Sequence, residues 1–384
     1  MKSAVYFIYL FLLSISLYGQ ETRTLIFAGV NRQFLLYVPD IYEDEGQKVP
    51  LLFSLHGLGD NMNNFSNAGF HQIADTANFI VITPQALTDS NALLALAGPA
   101  WNSGATMFGL SPNAGVDDVG FLLAIKDEIS EEFEIDTTRI YSTGFSMGAY
   151  MTNRLACETD AVFAAIAPVA GTIGVNLICD PSDKIPVCEF HGTADSVVGY
   201  TDNQSGTNVA EYITIWSENK ECLDEPVITA LPDLANDGFT VDHLKYANAH
   251  GEIMLEHFRV NSADHDWLYE NNDISYPVEI WHFLSRYSLQ EEEDTIIQVS
   301  SAIASVAGEQ WAIFPNPVHN EIRIRMPQTL QADYRIATIN GLWMGSYNGV
   351  ANNQPIDVSA LPAGYYFLSA RTPDSFMVKP FIKL

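Results

Sequence analysis

The stretch 139–157 leaves this chain little choice of architecture. A short strand, 139–143, runs directly into Gly144-Phe145-Ser146-Met147-Gly148, and a helical pattern follows over 147–157. A strand can turn into a helix that abruptly only where small residues let neighbouring backbones approach, and the two glycines supply that. A bare Gly-x-Ser-x-Gly match carries little weight, because both residue types are common and a capping serine at an ordinary turn reads the same way. Its position between strand and helix is what makes it an elbow that holds Ser146 out on a strained turn.

The same alternation continues on both sides. Residues 32–38, 49–56, 79–83, 163–169 and 186–190 read as short strands, most of them apolar throughout. Residues 119–132 carry Phe121, Leu122, Ile125, Ile129 and then Phe133 at helical spacing, and 279–287 reads as a closing helix. Strands without polar alternation are buried on both faces, which predicts an α/β fold with a mostly parallel sheet and helices on either side. This domain spans 22–287. Residues 288–310, acidic and then small and polar, read as a linker. From 311 to 384 alternating strands (321–325, 335–339, 365–370) and turns at Asn340-Gly341 and Ala363-Gly364 predict a small all-β sandwich.

At the N-terminus Lys2 precedes an apolar run from Ala4 to Leu17 and then Tyr18-Gly19-Gln20, the layout of an export signal over 1–19. That run is too short for a confident membrane span, and none is expected in the mature chain. Export fits the four cysteines, Cys157, Cys179, Cys188 and Cys222. Their even number suggests two disulfides, three pairings are open, and no close spacing suggests a zinc site. A formal net charge of −29, from 47 acidic and 18 basic residues, repels nucleic acid and anionic surfaces. Neither metal nor organic cofactor is expected.

A serine hydroxyl needs a base, and the base needs an orienting carboxylate. Asp195 lies a few residues past the strand 186–190, where parallel sheets place functional groups. His265 lies in Ser262-Ala263-Asp264-His265-Asp266-Trp267, between a strand-like stretch 252–260 and the closing helix. Ser146, Asp195 and His265 therefore form the candidate triad. Rival histidines are His243, His250 and His257, expected on surface strands, and His282 in the closing helix. Rival acids are Asp183, Asp264 and Asp266, the last two too close to His265 to orient it easily. The oxyanion donors are the backbone N–H groups of Leu58, in Leu55-His56-Gly57-Leu58-Gly59, and of Met147. Trp101, Phe145 and Trp267 are candidate substrate contacts at the mouth. The sequence leaves open whether the segment 200–261 covers the site.

Leu55-His56-Gly57, Trp101-Asn102, Val116-Asp117-Asp118-Val119-Gly120-Phe121, the serine elbow, Ala167-Pro168-Val169-Ala170-Gly171 and His191-Gly192-Thr193-Ala194-Asp195 occur in an order that resembles the secreted esterases related to polyhydroxybutyrate depolymerases, feruloyl esterases and family-one carbohydrate esterases. The resemblance covers about 22–287. It implies an α/β-hydrolase fold, the triad Ser146, Asp195 and His265, and hydrolysis of carboxylic esters. The family's histidine loop usually reads Gly-Gly-His-x-Trp-Pro; here Ala263-Asp264 precede the histidine and Leu268 follows Trp267, which puts the substrate rim in question. Asp117 and Asp118 read as anchors for the helix that follows them. In the tail, Phe314-Pro315-Asn316-Pro317, Leu361-Pro362-Ala363-Gly364-Tyr365-Tyr366 and the terminal Phe381-Ile382-Lys383-Leu384 are similar to the sorting domain of the type IX secretion system. That implies the secretion machinery as a partner and an extracellular or cell-surface location. The expected substrate is a polymer-linked ester, feruloyl or acetyl groups on plant polysaccharide, with polyester as the alternative. A serine peptidase and a non-catalytic surface binding protein are the competing classes.

Overall fold

The structure is a computed structural model. It describes residues 19–289 apart from 44–45, 180–184, 224, 236 and 270–271, and residues 312–384 apart from 326–330, 339–342, 363 and 373–374. The expected export signal up to residue 18 and the expected linker from 290 to 310 lie outside the described residues, as does Asp183.

Ten strands form one sheet among the described residues: β1 (Gln20–Phe27), β2 (Val30–Tyr37), β3 (Val49–Leu55), β4 (Ile80–Pro84), β5 (Ile135–Phe145), β6 (Ala165–Val169), β7 (Val187–Gly192), β8 (Val227–Ala230), β9 (Thr240–Ala247) and β10 (Ile253–Asn261). Their spatial order is β1-β2-β4-β3-β5-β6-β7-β10-β9-β8. From β4 across to β10 every neighbour is parallel, and only the two outer edges are antiparallel. Five longer helices flank it: α1 (Phe70–Ala77), α2 (Asp118–Glu132), α3 (Met147–Glu158), α4 (Val209–Asn219) and α5 (Tyr276–Leu284).

The apolar strands build two cores, one on each face. Leu51, Phe53 and Leu55 of β3 pack with Phe121, Ile125 and Ile129 of α2, Met151 and Leu155 of α3, and Tyr212 and Trp216 of α4. Leu52, between them on the other face, joins Phe70 and Ala74 of α1 and Tyr276, Ile280 and Phe283 of α5. The period-2 direction of strand side chains makes both faces apolar, so helices must cover both. Helix α4, the edge strands β8 and β9 and strand β10 come from the stretch 200–261, for which the sequence left open whether it covers the site: most of it extends the sheet, and residues at both of its ends, Tyr200 and Val260 among them, adjoin the site described below.

Asp117 and Asp118 anchor α2. Asp117 accepts a hydrogen bond from the Gly120 N–H at 2.8 Å, capping the helix. Asp118 is buried and pairs with Arg32 at 2.8 Å, and the Arg32 guanidinium lies over the Phe121 ring. Asp118 also accepts from the Asn102 N–H at 2.8 Å, tying α2 to the loop after Trp101.

One disulfide forms among the described residues, Cys157–Cys179, joining the last turn of α3 to the loop after β6. Cys188 and Cys222 are free, so the expectation of two bridges is corrected. Cys188, the second residue of β7, is fully buried, and its side chain is part of the core packing.

In the tail, β11 (Ala312–Phe314), β12 (Glu321–Arg325), β13 (Gln331–Thr338), β14 (Trp343–Ala351), β15 (Pro355–Asp357), β16 (Gly364–Thr372) and β17 (Ser375–Lys383) are all antiparallel. They form sheets β11-β12-β15 and β14-β13-β16-β17 around Ile322, Ile324, Ile336, Ile356, Leu368 and Phe381.

Candidate active site

The elbow is strained as its sequence demands. Ser146 has φ +55° and ψ −118°, a backbone conformation that non-glycine residues rarely adopt. Its N–H donates to the Val169 carbonyl at 2.9 Å, which fixes the turn against β6. The flanking glycines are required by contact. A Cβ on Gly148 would lie 2.1 Å from the Leu55 carbonyl oxygen, and one on Gly144 would lie 2.5 Å from the Gly148 backbone. Helix α3 therefore rests directly on the end of β3.

That end of β3 continues into Gly57 and Leu58, one of the candidate oxyanion donors. A Cβ on Gly57 would sit 3.4 Å from the Ser146 Cβ, so this turn runs beside the elbow. Several groups pin it. The buried His56 ring is 2.7 Å through Nδ1 from the Gly57 carbonyl and accepts at Nε2 from the Ala86 N–H at 3.1 Å. Burial lowers the His56 pKa, in keeping with a neutral ring that donates from one nitrogen and accepts at the other. The Gly59 N–H donates to Pro99, and the Trp101 indole N–H donates to the His56 carbonyl at 2.9 Å. Trp101 is 0% exposed. It is a wall behind the turn, not a substrate contact at the mouth, because its only polar atom is committed to the backbone. Met147 is the first residue of α3, so its N–H has no carbonyl partner within the helix.

Asp195 and His265 meet. The His265 Nδ1 lies 2.8 Å from Asp195 Oδ2, across 70 residues of chain. The imidazole is 13% exposed and the carboxylate 0%, so the ring screens the acid from water. Their loops leave the C-terminal ends of adjacent strands β7 and β10 and are zipped together. Thr193 and Ala194 donate backbone bonds to Val260 and Ala263, and the Asp264 carboxylate accepts from the Ser196 N–H and hydroxyl at 2.8 Å each and from the His265 N–H at 2.9 Å. Asp264 is thus a tie between loops, and Asp266 is exposed. Phe145 stacks at a tilt 4.7 Å from the His265 ring, and Trp267 packs edge-on against Phe145 at 6.1 Å. A cavity of about 540 Å³ opens beside Asp195, lined by Thr193, Ser196, Tyr200, Thr201, Asp202 and Gln204 among others.

The Asp195 carboxylate is well supplied with donors. Its Oδ1 accepts from the Val197 and Val198 N–H groups at 2.9 and 2.7 Å, and its Oδ2 also faces His191 Nε2 at 3.3 Å. Burial opposes its charge, but His191 and His265 outweigh burial and hold it well below the usual carboxylate range. Sequence reasoning gave His191 and Glu189 no role and put His257 on a surface strand. In the structure all three are buried and in contact, with Glu189 between the two imidazoles at 2.7 and 2.5 Å. The available signal was charge inside an apolar strand: Glu189 and His191 interrupt β7. His243 bonds Glu256, the His250 N–H donates to Asn248, and His282 lies 3.8 Å from Glu279; Asp195 is paired with His191 and His265 instead. No cluster among the described residues is suited to hold a metal ion, and no described helix is long and apolar enough to cross a membrane.

Residues 38–225 match the family described as phospholipase/carboxylesterase, and residues 312–383 match a secretion system C-terminal sorting domain. The chain is similar to a bifunctional acetylxylan esterase/xylanase of Neocallimastix patriciarum, 24% identical over 265 residues, which cover 68% of this chain and 34% of that protein. It is similar to feruloyl esterase B of Piromyces equi, 32% identical over 142 residues, 34% of this chain and 25% of that protein. A third relative is poly(3-hydroxyalkanoate) depolymerase C of Paucimonas lemoignei, 23% identical over 236 residues, 56% of this chain and 54% of that protein. The matches span between a quarter and about half of these relatives' own lengths.

Proposed function

We propose that this chain, whose residues 38–225 belong to the phospholipase/carboxylesterase family and whose C-terminus is a secretion-system sorting domain, is an exported serine esterase that works through an acyl-enzyme. The observation that carries this reading is the Asp195–His265 pair, brought together at 2.8 Å from two loops at the C-terminal ends of parallel strands. The strained Ser146 turn on the same sheet supports it.

In this mechanism Ser146 Oγ attacks the ester carbonyl while His265 Nε2 takes its proton. Asp195 holds the Nδ1–H tautomer and stabilises the imidazolium. The carbonyl oxygen, now an anion, is met by the N–H groups of Leu58 and Met147, the latter at the positive end of α3. Collapse expels the alcohol, protonated by His265. Water then attacks the acyl-enzyme with the same imidazole as base, releasing the acid and restoring Ser146.

We read the substrate as a feruloyl or acetyl ester on plant polysaccharide. Phe145 and Trp267 offer an aromatic surface beside the base, and the hydroxyl- and carboxylate-lined cavity at Asp195 suits the hydroxyls of a sugar better than an apolar polyester chain. Relatives named for acetylxylan and feruloyl ester cleavage support the reading; the depolymerase relative supports polyester as the second one. Residues 1–19 would direct export, 22–287 catalyse, 288–310 link, and 311–384 address the type IX machinery for delivery outside the cell.

The test compares the parent and Ser146→Ala on p-nitrophenyl acetate, methyl ferulate, acetylated xylan and a polyhydroxybutyrate film. Cleavage of the ferulate or xylan ester by the parent alone is the expected result. Preference for the film selects the polyester reading. Equal activity of the Ser146→Ala protein would sink the serine mechanism.

A further inference from the structure

Beneath the paired loops lies a second imidazole that the proposed reaction does not use. His191, on β7, is 1% exposed. Its Nδ1 is 2.7 Å from Glu189 Oε1, and its Nε2 is 2.8 Å from the Val198 carbonyl and 3.3 Å from Asp195 Oδ2. Every one of these partners is an acceptor. A neutral imidazole carries one N–H and one lone pair, and here a lone pair on either nitrogen would point at an oxygen. With Glu189 ionised as the counter-charge, the ring takes both protons. His257 differs: its Nδ1 faces Glu189 Oε2 at 2.5 Å, but its Nε2 faces the Tyr200 hydroxyl at 2.9 Å, which can donate.

Resting on the serine-esterase reading, we propose that His191, clamped by Glu189, is a positioning residue for the base: by sharing Asp195 Oδ2 with His265 it sets the charge the base experiences, and so where in pH the enzyme works. Burial opposes the His191 charge, but Glu189 and Asp195 outweigh it and raise its pKa to about 10. Burial likewise opposes ionisation of Glu189, yet His257 and His191 pull it down to about 2.

The surrounding groups do not duplicate this charge. Burial pushes up the phenols of Tyr200, Tyr212 and Tyr276 and the thiol of Cys188, so they stay neutral. Asp264 is exposed and committed to Ser196 and His265 N–H, and Asp266 is exposed on the same loop. Asp202 lines the open cavity, and Arg259, on β10, is paired with Asp242. Glu256, next in β10, is engaged by His243 and Arg286.

The His191 and His265 nitrogens that face Asp195 Oδ2 are no more than about 6 Å apart, so removing the His191 charge should move the acid limb of the rate profile by about one to two pH units. The experiment measures kcat/KM for p-nitrophenyl acetate from about pH 4 to 9 with the full chain and its His191→Gln, Glu189→Gln and Ser146→Ala variants. The acid limb of the profile is expected to move up by about one to two units in His191→Gln and by less in Glu189→Gln, where loss of the carboxylate offsets loss of the His191 proton, with KM little changed and the plateau within about tenfold of the parent. Variants that fold, by far-UV circular dichroism, yet give an unmoved acid limb overturn the proposal, as does a lower plateau without a shift. Nitrogen-15 spectra of the parent supply a test independent of variant folding. A His191 ring doubly protonated throughout pH 5–8 supports the proposal, and a ring that titrates in that range refutes it. Activity surviving in Ser146→Ala would instead defeat the serine mechanism itself, and the two failures are thereby distinct.

Discussion

Replacing Gly148 with alanine is the sharpest test of the elbow. An exposed helical glycine gains about 1 kcal/mol on becoming alanine. Here the new Cβ would stand 2.1 Å from the Leu55 oxygen, 2.6 Å from the Leu55 carbonyl carbon and 2.7 Å from the His56 oxygen, all backbone atoms that cannot swing aside. Since Cβ contacts under 3.0 Å essentially never occur, α3 must retreat from β3 by about the 0.9 Å difference between 3.0 and 2.1. Overpacking of that kind costs about 1–3 kcal/mol, which exceeds the propensity gain. Ser146 and Met147 lie at the start of the displaced helix and Leu58 on the opposing turn, so the proposed nucleophile and the proposed oxyanion donors separate. A misplacement of about 1 Å can cost about a hundredfold in rate. The measurements are kcat/KM for p-nitrophenyl acetate, labelling by a fluorophosphonate, and the urea midpoint. Gly115→Ala, at an ordinary φ with nothing within 4 Å of the added atom, is the control. A Gly148→Ala enzyme as active and as stable as that control would refute the close approach of α3 to β3, and with it the geometric account of the motif.

The unreduced, denatured chain should titrate two thiols and the reduced chain four; in the native protein only Cys222 should react readily, since Cys188 is buried. Four thiols without reductant would rule out the Cys157–Cys179 bridge, whose removal should cost about 3 kcal/mol. Asp118→Asn leaves the Arg32 guanidinium buried without its counter-charge and should lower unfolding free energy by about 3–5 kcal/mol, and a loss under about 1 kcal/mol would contradict the buried pair. His191, raised to about 10 against about 6.5 when unfolded, binds its proton more tightly in the native state. Its stabilisation is complete below about pH 6.5 and is lost as pH rises towards 10, so the urea midpoint should fall between pH 7 and 9 in the parent more than in His191→Gln. Parallel slopes in the two proteins would remove His191 as the cause.

The elbow, the alternating strands and helices, and the Asp195 and His265 loops were legible because each is written in a short window: an apolar run, a glycine pair, a polar loop past a strand. Trp101 was misread for the complementary reason. An aromatic residue in a loop looks the same in sequence whether it lines a mouth or fills a wall, and only the hydrogen bond to His56 and the packing behind the oxyanion turn decide between them. The cysteines failed likewise. An even count in an exported chain suggests two bridges, but β7 holds Cys188 inside a packed core, while Cys157 at the end of α3 meets the loop after β6.

The largest omission, the Glu189–His191–His257 cluster, was invisible for a reason of register. Glu189 lies directly opposite His257 in the parallel pairing of β7 with β10, and His191 lies opposite Arg259. Nothing in either strand alone announces that pairing, and a slip of one residue would set Cys188 against His257 and send the carboxylate to the other face. Yet the anomaly was present locally. A strand buried on both faces should be apolar throughout, and β7 carries a glutamate and a histidine at positions fully removed from water. Burying a carboxylate and an imidazole costs free energy unless each is paired, and such local violations persist where function requires them. The polar interruption of a double-faced strand, at Glu189 and His191 just before the expected catalytic acid Asp195, is therefore evidence of a supporting charge beneath that acid, available before any pairing partner is known.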